Sequence, residues 1–171
     1  MENFTQLIES RYSVRKFTDE PVKDKDLEII LHAGHVAPTG CNNQPHRIYV
    51  IKSGEALEKL KECTRCHFDS KTVLLVTYKK DECWYRPYDK EPSGMVDASI
   101  VTTHMMLAAW EIGVGSCWVM HFKPAKIHEL LNISEDEIPV ALLPMGYPAK
   151  DSAPMDLHSK FRDMNELVKY L

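Results

Sequence analysis

Three short stretches concentrate side chains able to hold an anion or a polar heterocycle. In Arg11-Tyr-Ser-Val-Arg-Lys-Phe17 the residues Arg11, Ser13 and Arg15 alternate. An extended chain points every second side chain to one face, so two guanidinium forks and a hydroxyl converge there. Guanidinium geometry matches phosphate oxygens, and the hydroxyl fills a remaining acceptor position. The plain alternative is a solvated basic run after a surface helix. Ala37-Pro-Thr-Gly-Cys-Asn-Asn-Gln-Pro-His46 is dense in turn formers and amides. Gly40 admits close approach of backbone to a ligand. Asn42 and Gln44 each carry a donor and an acceptor, which suits a heterocycle with mixed edges. The alternative is a helix-to-strand loop held by Asx turns. Lys160-Phe-Arg162 again places two cations on one side, or else is a flexible basic tail.

Two further patterns look chemical but fit poorly. Gly113-Val-Gly-Ser-Cys-Trp118 faintly matches a dinucleotide fingerprint. A helix precedes it and the third glycine is missing, so a helix C-cap followed by a strand explains both glycines. Cys63-Thr-Arg-Cys-His67 has the literal spacing of haem attachment, which needs an exported compartment. A zinc site from Cys63, Cys66, His67 and Cys83 requires the intervening strand to bring Cys83 back. A thioredoxin-like pair belongs at a helix N-terminus after a strand, whereas this pair ends a helix. Reduced thiols are the ordinary reading. The eight histidines form no His-Glu-x-x-His pattern, and His104, inside an apolar stretch, reads as a satisfied core histidine.

The composition limits the partners. The chain has 171 residues, 44% apolar and 27% charged, with 21 basic and 25 acidic side chains and a formal net charge of −4. That is one globular domain without the basic balance that nucleic acid or an anionic membrane attracts. No apolar run is long enough to span a bilayer. The first ten residues lack a secretory pattern, so a cytoplasmic location is expected.

Hydrophobic spacing supplies the elements that must position these clusters. Phe4, Leu7 and Ile8 predict a short first helix, and Leu27, Ile30, Leu31 and Gly34 a second, capped by Asp24 or Asp26 and stopped by Pro38. Arg47–Ile51 reads as a strand, and Ser53 as the cap of a charged helix over Glu55–Glu62. Thr72–Tyr78 predicts a strand buried on both faces. Val96–Ile112 is apolar on most sides, so a central buried helix is expected, ended by Gly113. Ser116–Met120 predicts a strand, Pro124–Leu131 a short helix, and Ile138–Met145 a strand placed at an edge or bend by its prolines. Residues from Gly146 onward are linker-like, with a last helix over Met164–Leu171. Such a tail lacks the apolar surface to fold alone and must pack on the body or a partner.

Taken together these motifs resemble the nitroreductase family of FMN-dependent flavoproteins. The resemblance rests on Arg11–Val22, Ala37–His46, Gly113–Trp118, the strand from Ile138 into Met145-Gly-Tyr-Pro148, and Lys160-Phe-Arg162. It implies an α+β fold, with a central mixed or antiparallel sheet flanked by helices. The whole chain, 1–171, would be one FMN-binding domain in an intertwined homodimer, with the tail from about residue 153 on the partner subunit. It further implies that Arg11, Tyr12, Ser13 and Arg15 bind the flavin, and that Pro38, Thr39, Gly40, Asn42 and Gln44 reach it from the other subunit. Lys160 and Arg162 would close on its phosphate, and Trp118, Val119 and Met120 would form a wall against one ring face. The sequence departs from the family pattern in two places. The loop ends Gln44-Pro45-His46 where members commonly carry tryptophan, and Met120-His121 stands where many carry glycine.

The expected activity is transfer of hydride from NAD(P)H, through flavin N5, to a nitroaromatic, quinone or similar small acceptor. The flavin carries the redox chemistry, and the protein supplies position and electrostatics. His121 is the one candidate proton donor. Two alternatives stay open: a flavin carrier or sensor whose pocket Met120 and His121 fill, and a thiol-redox or zinc protein using Cys63 and Cys66.

Overall fold

The structure, a computed structural model, describes residues 3–171. Its centre is a four-stranded antiparallel sheet: β1 (His46–Ile51), β2 (Thr72–Lys79), β3 (Gly115–Ser116) and β4 (Glu137–Gly146), in spatial order β1-β2-β4-β3. Around it lie α1 (Phe4–Ser10), α2 (Asp24–His35), α3 (Gly54–Cys63), α4 (Gly94–Glu111), α5 (Pro124–Leu131) and a short α6 (Met164–Leu167). β2 is enclosed on both faces as its unbroken apolar run requires. Leu74 and Val76 face one core with Ile30 of α2 and Val101 and Met105 of α4. Val73 and Leu75 face the other, with Leu60 of α3 and Ile127 of α5.

Several expectations are met closely. The Ser53 side chain accepts from the Ala56 N–H at the start of α3. Gly113 ends the α4 region with φ of +80°, a conformation that glycine adopts freely.

Others are corrected. The N-cap of α2 is Lys23; Asp24 and Asp26 sit inside the first turn, where acidic groups favour the helix dipole. Their carboxylates are engaged elsewhere, Asp24 with Lys52 at 2.7 Å and Asp26 with the Tyr147 hydroxyl at 2.6 Å. β4 is an interior strand despite its prolines. Pro139 lies at a bulge, since Val76 pairs with Ala141 but Thr77 with Pro139.

Pro144 explains why the strand expected over Ser116–Met120 is broken. Ser116 pairs with Met145 and Val119 bridges Leu142 in the same register. Between them the Cys117 N–H donates to the Pro144 carbonyl, but Pro144 has no N–H to return. α4 is also less enclosed than its composition suggests. One side packs on α2 and the sheet, while Val96 is 60% exposed and His104 is half-buried in an open groove with Met95 and Ile100. His104 is therefore not a core histidine. The last helix stops at Leu167 instead of Leu171, and Phe161, Met164, Leu167 and Tyr170 are exposed. Among the described residues, no helix is long and apolar enough to cross a membrane.

Candidate active site

The segment after α1 is laid beside β3 as an added, parallel extension. Ser13 bridges Ser116, and the Val14 N–H donates to the Ser116 carbonyl at 3.0 Å. Val14 is fully buried against Gly115, where an added Cβ would lie 2.5 Å from Val14 Cγ2. The next residues continue along the chain end of β4: the Thr18 N–H bonds the Tyr147 carbonyl, and the Ala149 N–H bonds the Lys16 carbonyl. With Val14 turned inward, Arg11, Ser13 and Arg15 share the neighbourhood of Cys117. Burial pushes the Cys117 thiol up, while the Arg15 and Arg11 guanidiniums and the Ser13 hydroxyl pull it the other way.

Arg47 and Arg86 each hold a carboxylate, Glu82 and Asp89. Neither Arg11 nor Arg15 has one among the described residues; Arg15 donates only to the Ser13 carbonyl, at 3.1 Å. Ser13, Arg15, Lys16 and Asp151–Ala153 line a cavity of about 280 Å³. Its one carboxylate, Asp151, is held by Lys16 at 2.6 Å, which keeps its acid below the usual carboxylate range. The Arg15 guanidinium beside a neutralised acid, with the uncommitted Arg11 in the same segment, forms a donor set suited to an oxyanion such as a phosphate. Tyr12 lies beside this set, next to Ser152 of the same cavity. Its hydroxyl meets Ser152 Oγ at 3.2 Å, and its ring meets Trp110 edge-on at 5.2 Å, so it anchors the start of the tail.

The loop after α2 is held apart from this cluster. The Gly40 N–H donates to Asp97 Oδ1 at 2.8 Å, and Ser93 Oγ donates to the other carboxylate oxygen at 2.6 Å. The Gln44 N–H donates to Thr39 Oγ1 at 3.1 Å. Cys41, Asn42 and Gln44 all have positive φ, between 49° and 56°, and Pro38, Asn42 and Gln44 are exposed. Non-glycine residues held there store backbone strain that concentrates at ligand-binding loops. The anchor, Asp97, is a buried acid in the apolar helix α4 and escaped the sequence reading. The signal for it was a lone carboxylate in an otherwise apolar run.

The wall beyond β3 is open on one side. Val119 is buried and bonded both ways to Leu142, while Met120 is 62% exposed. The N–H groups of Trp118, Met120 and His121 meet no acceptor among the described residues. A cavity of about 750 Å³ lies beside this wall, between Met120–Lys123 and the end of α3. Thr64 Oγ1 donates to the His121 carbonyl at 2.6 Å and the Lys123 N–H to the Cys63 carbonyl at 2.9 Å, tying the two sides together.

The Cys63–His67 stretch thus contributes to a cavity wall. Cys63 packs in the core on the α3–α5 face of the sheet and Cys83 in the core on the α2–α4 face, so the strand does not return Cys83 to the other ligands. No group of three or more His, Cys, Asp or Glu among the described residues is placed to hold a metal ion. Lys160 and Arg162 are exposed. Within one chain, no hydrogen bond or ion pair among the described residues joins the Arg11–Arg15 segment, the Pro38–Gln44 loop and the Lys160–Arg162 pair.

The nitroreductase family model matches residues 8–82 and 67–147, together most of the chain. The chain belongs to the nitroreductase family. A solved nitroreductase family protein from Clostridium difficile 630 superimposes with a TM-score of 0.93 at 38% identity, covering 99% of this chain and 98% of that one. A nitroreductase-named protein from Desulfovibrio desulfuricans, solved in complex with FMN, gives a TM-score of 0.84 at 28% identity over 100% and 98% of the two chains. A relative from Archaeoglobus fulgidus, provisionally named NADH dehydrogenase/NAD(P)H nitroreductase, is 29% identical over 86% of this chain and 87% of its own. The chain has the expected α+β architecture of helices around a small antiparallel sheet.

Proposed function

We propose that this member of the nitroreductase family is an FMN-dependent NAD(P)H oxidoreductase that works as a homodimer on a nitroaromatic, quinone or similar small acceptor. The observation that carries the reading is the Arg11–Ser13–Arg15 set, laid along β3 with no carboxylate partner among the described residues. The donor chemistry fits a flavin phosphate, and the Desulfovibrio relative holds FMN. Bound FMN supplies the redox chemistry, accepting hydride at N5 and passing two electrons on.

Arg11, Ser13 and Arg15 hold the phosphate and ribityl end, and Lys160 and Arg162 complete its charge. The Pro38, Thr39, Gly40, Asn42 and Gln44 loop of one protomer serves the flavin of its partner. Three features support a dimer: the Pro38–Gln44 loop and the Lys160–Arg162 pair make no hydrogen bond or ion pair with the arginine segment among the described residues, Val96 and Met95 expose the α4 face, and the tail leaves Phe161, Met164, Leu167 and Tyr170 uncovered. Trp118, Val119 and Met120 form the ring wall, with free N–H groups at Trp118, Met120 and His121 available to a ring acceptor atom. His121 is exposed beside this wall and is the candidate proton donor.

Met120 borders an open cavity instead of filling it, which favours turnover over a carrier role. The test is the visible spectrum of purified protein, followed by release of the pigment, and then steady-state NAD(P)H oxidation with several acceptors. Flavin absorbance with turnover is expected. Colourless protein that takes up no FMN refutes the reading, and flavin-loaded protein without turnover supports the carrier instead.

A further inference from the structure

The Pro38–Gln44 loop ends on a titratable ring in a place that makes no provision for its charge. His46 opens β1 opposite Tyr78, and it follows buried Pro45, whose carbonyl accepts the Lys79 N–H at 2.9 Å. The ring is half-buried, and its Nδ1 is sealed from solvent with no hydrogen-bond partner among the described residues. An unpartnered buried nitrogen is tolerated far better neutral than charged.

The groups facing the ring come from four elements. Burial acts most strongly against an imidazolium there, and Arg47 of β1, itself held by Glu82, adds repulsion. Asp97 of α4 draws a proton on, and His35 at the end of α2 opposes it. The sum holds the ring below its usual range. Tyr78 of β2 contributes no charge, since burial pushes its phenol up. Asp97 is already engaged, because its two oxygens accept the Gly40 N–H and the Ser93 hydroxyl at 2.8 and 2.6 Å. The Gly40–His46 stretch is thus pinned at one end by Asp97 and at the other by a ring seated at the start of an edge strand. Between the pins, Cys41, Asn42 and Gln44 hold φ of 49°, 56° and 52°, a strain that relaxes once an end lets go.

We propose that His46 and Asp97 form an acid-released latch: neutral His46 keeps the loop seated on Asp97, and protonation drives the ring to solvent and loosens the stretch back to Gly40. The sign follows from the seated ring ionising less readily than a free one. The latch is closed above about pH 6.5 and is lost as pH falls through the lowered value. Weaker FMN binding in acid rests on the flavin reading above; release of the loop does not.

The test uses the protein as purified. NMR follows the histidine ring protons and hydrogen exchange at the Gly40 N–H from about pH 8 to about pH 5. His46 should titrate below exposed His32. Through the same midpoint Gly40, corrected for intrinsic exchange, should lose at least about threefold of its protection. His46→Gln and His46→Phe, which cannot ionise, should show no such loss. His35→Gln removes a repelling charge and should move the midpoint to higher pH, whereas His32→Gln should leave it in place. Fluorescence titration then gives the Kd for FMN at both ends of the range. A phosphate monoester itself gains a proton at about pH 6, so the reading is a difference. Affinity should fall at least about threefold more in the wild type than in His46→Phe.

A His46 midpoint at or above that of His32 overturns the inference. So does Gly40 protection that is constant through the His46 midpoint, or that falls equally in both His46 variants. An unmoved midpoint in His35→Gln overturns it as well, and so does an equal fall of FMN affinity in wild type and variants. Failure of the flavin reading looks different: the protein is colourless and takes up no FMN, while the NMR and exchange measurements still decide whether the latch exists.

Discussion

Gly115→Ala tests whether the arginine segment is positioned by its contact with β3. A Cβ at Gly115 would lie 2.5, 2.8 and 3.0 Å from Val14 Cγ2, Cβ and Cγ1. The Cβ contact is the decisive one, because turning the valine rotamer moves its methyls but not its Cβ. The chain at Val14 must therefore retreat, stretching the 3.0 Å bond from the Val14 N–H to the Ser116 carbonyl. Val14 is fully buried, so the displacement is resisted by close packing. Overpacking of this kind costs about 1–3 kcal/mol. For a chain of this length each kcal/mol lowers Tm by roughly 2–4 °C, which gives a drop of roughly 2–12 °C.

The retreat also tilts Arg11, Ser13 and Arg15 away from their common neighbourhood, so FMN affinity should fall in the same variant. The assays are thermal unfolding of the apoprotein and fluorescence titration with FMN. Val14→Gly removes the Cβ and both methyls, and the double variant should lose less Tm than the sum of the singles. An unchanged Tm in Gly115→Ala, or strict additivity in the double variant, refutes the reasoning.

Other outcomes follow from the same structure. Arg15→Ala should raise the Kd for FMN by roughly tenfold to 150-fold, the loss of one charge-assisted contact of about 1.5–3 kcal/mol. Lys16→Ala should leave it nearly unchanged, because that ammonium is committed to Asp151; equal effects in a flavin titration contradict the assigned face. The Tyr49 phenol is pushed up to about 12, chiefly by burial and then by its bond to Glu137. A phenol made this much harder to ionise contributes stability fully present below about pH 10 and lost as pH rises through about 12, so Tyr49→Phe should flatten alkaline denaturation across that window. Brief iodoacetamide treatment should modify exposed Cys41 first, with Cys63, Cys83 and Cys117 protected by burial, which also pushes those three thiols up; peptide mass spectrometry gives the order.

Periodicity located all the main helices and β1, β2 and β4, because each buries one continuous apolar face or run and that pattern is local. Alternation at Arg11, Ser13 and Arg15 was legible for the same reason. Pairing partners were not. The prolines of β4 suggested an edge, yet Pro139 sits at a bulge and Pro144 leaves its missing donor on the β3 side, where the ladder is already short. Asp97 read as one polar residue in an apolar helix, and its grip on the Gly40 N–H depends on how α4 packs beneath the loop. Arg65 and Lys123 lie far apart in sequence, and only the packing of α3 against α5 puts them on one cavity.

The sequence by itself determined which residues can carry charge to an anion, which runs must be buried, and the family to which the chain is similar. Side-chain chemistry and spacing of two or three to four residues are properties of the strand itself, independent of its neighbours. The tertiary structure alone decided that Val14 locks against Gly115, that Cys63 and Cys83 fall on opposite faces of the sheet, and that Lys61, Arg65, Lys123 and Lys126 meet around one cavity. Those are contacts between distant segments. They are fixed by the register and crossing of packed elements, which no local pattern in a chain encodes.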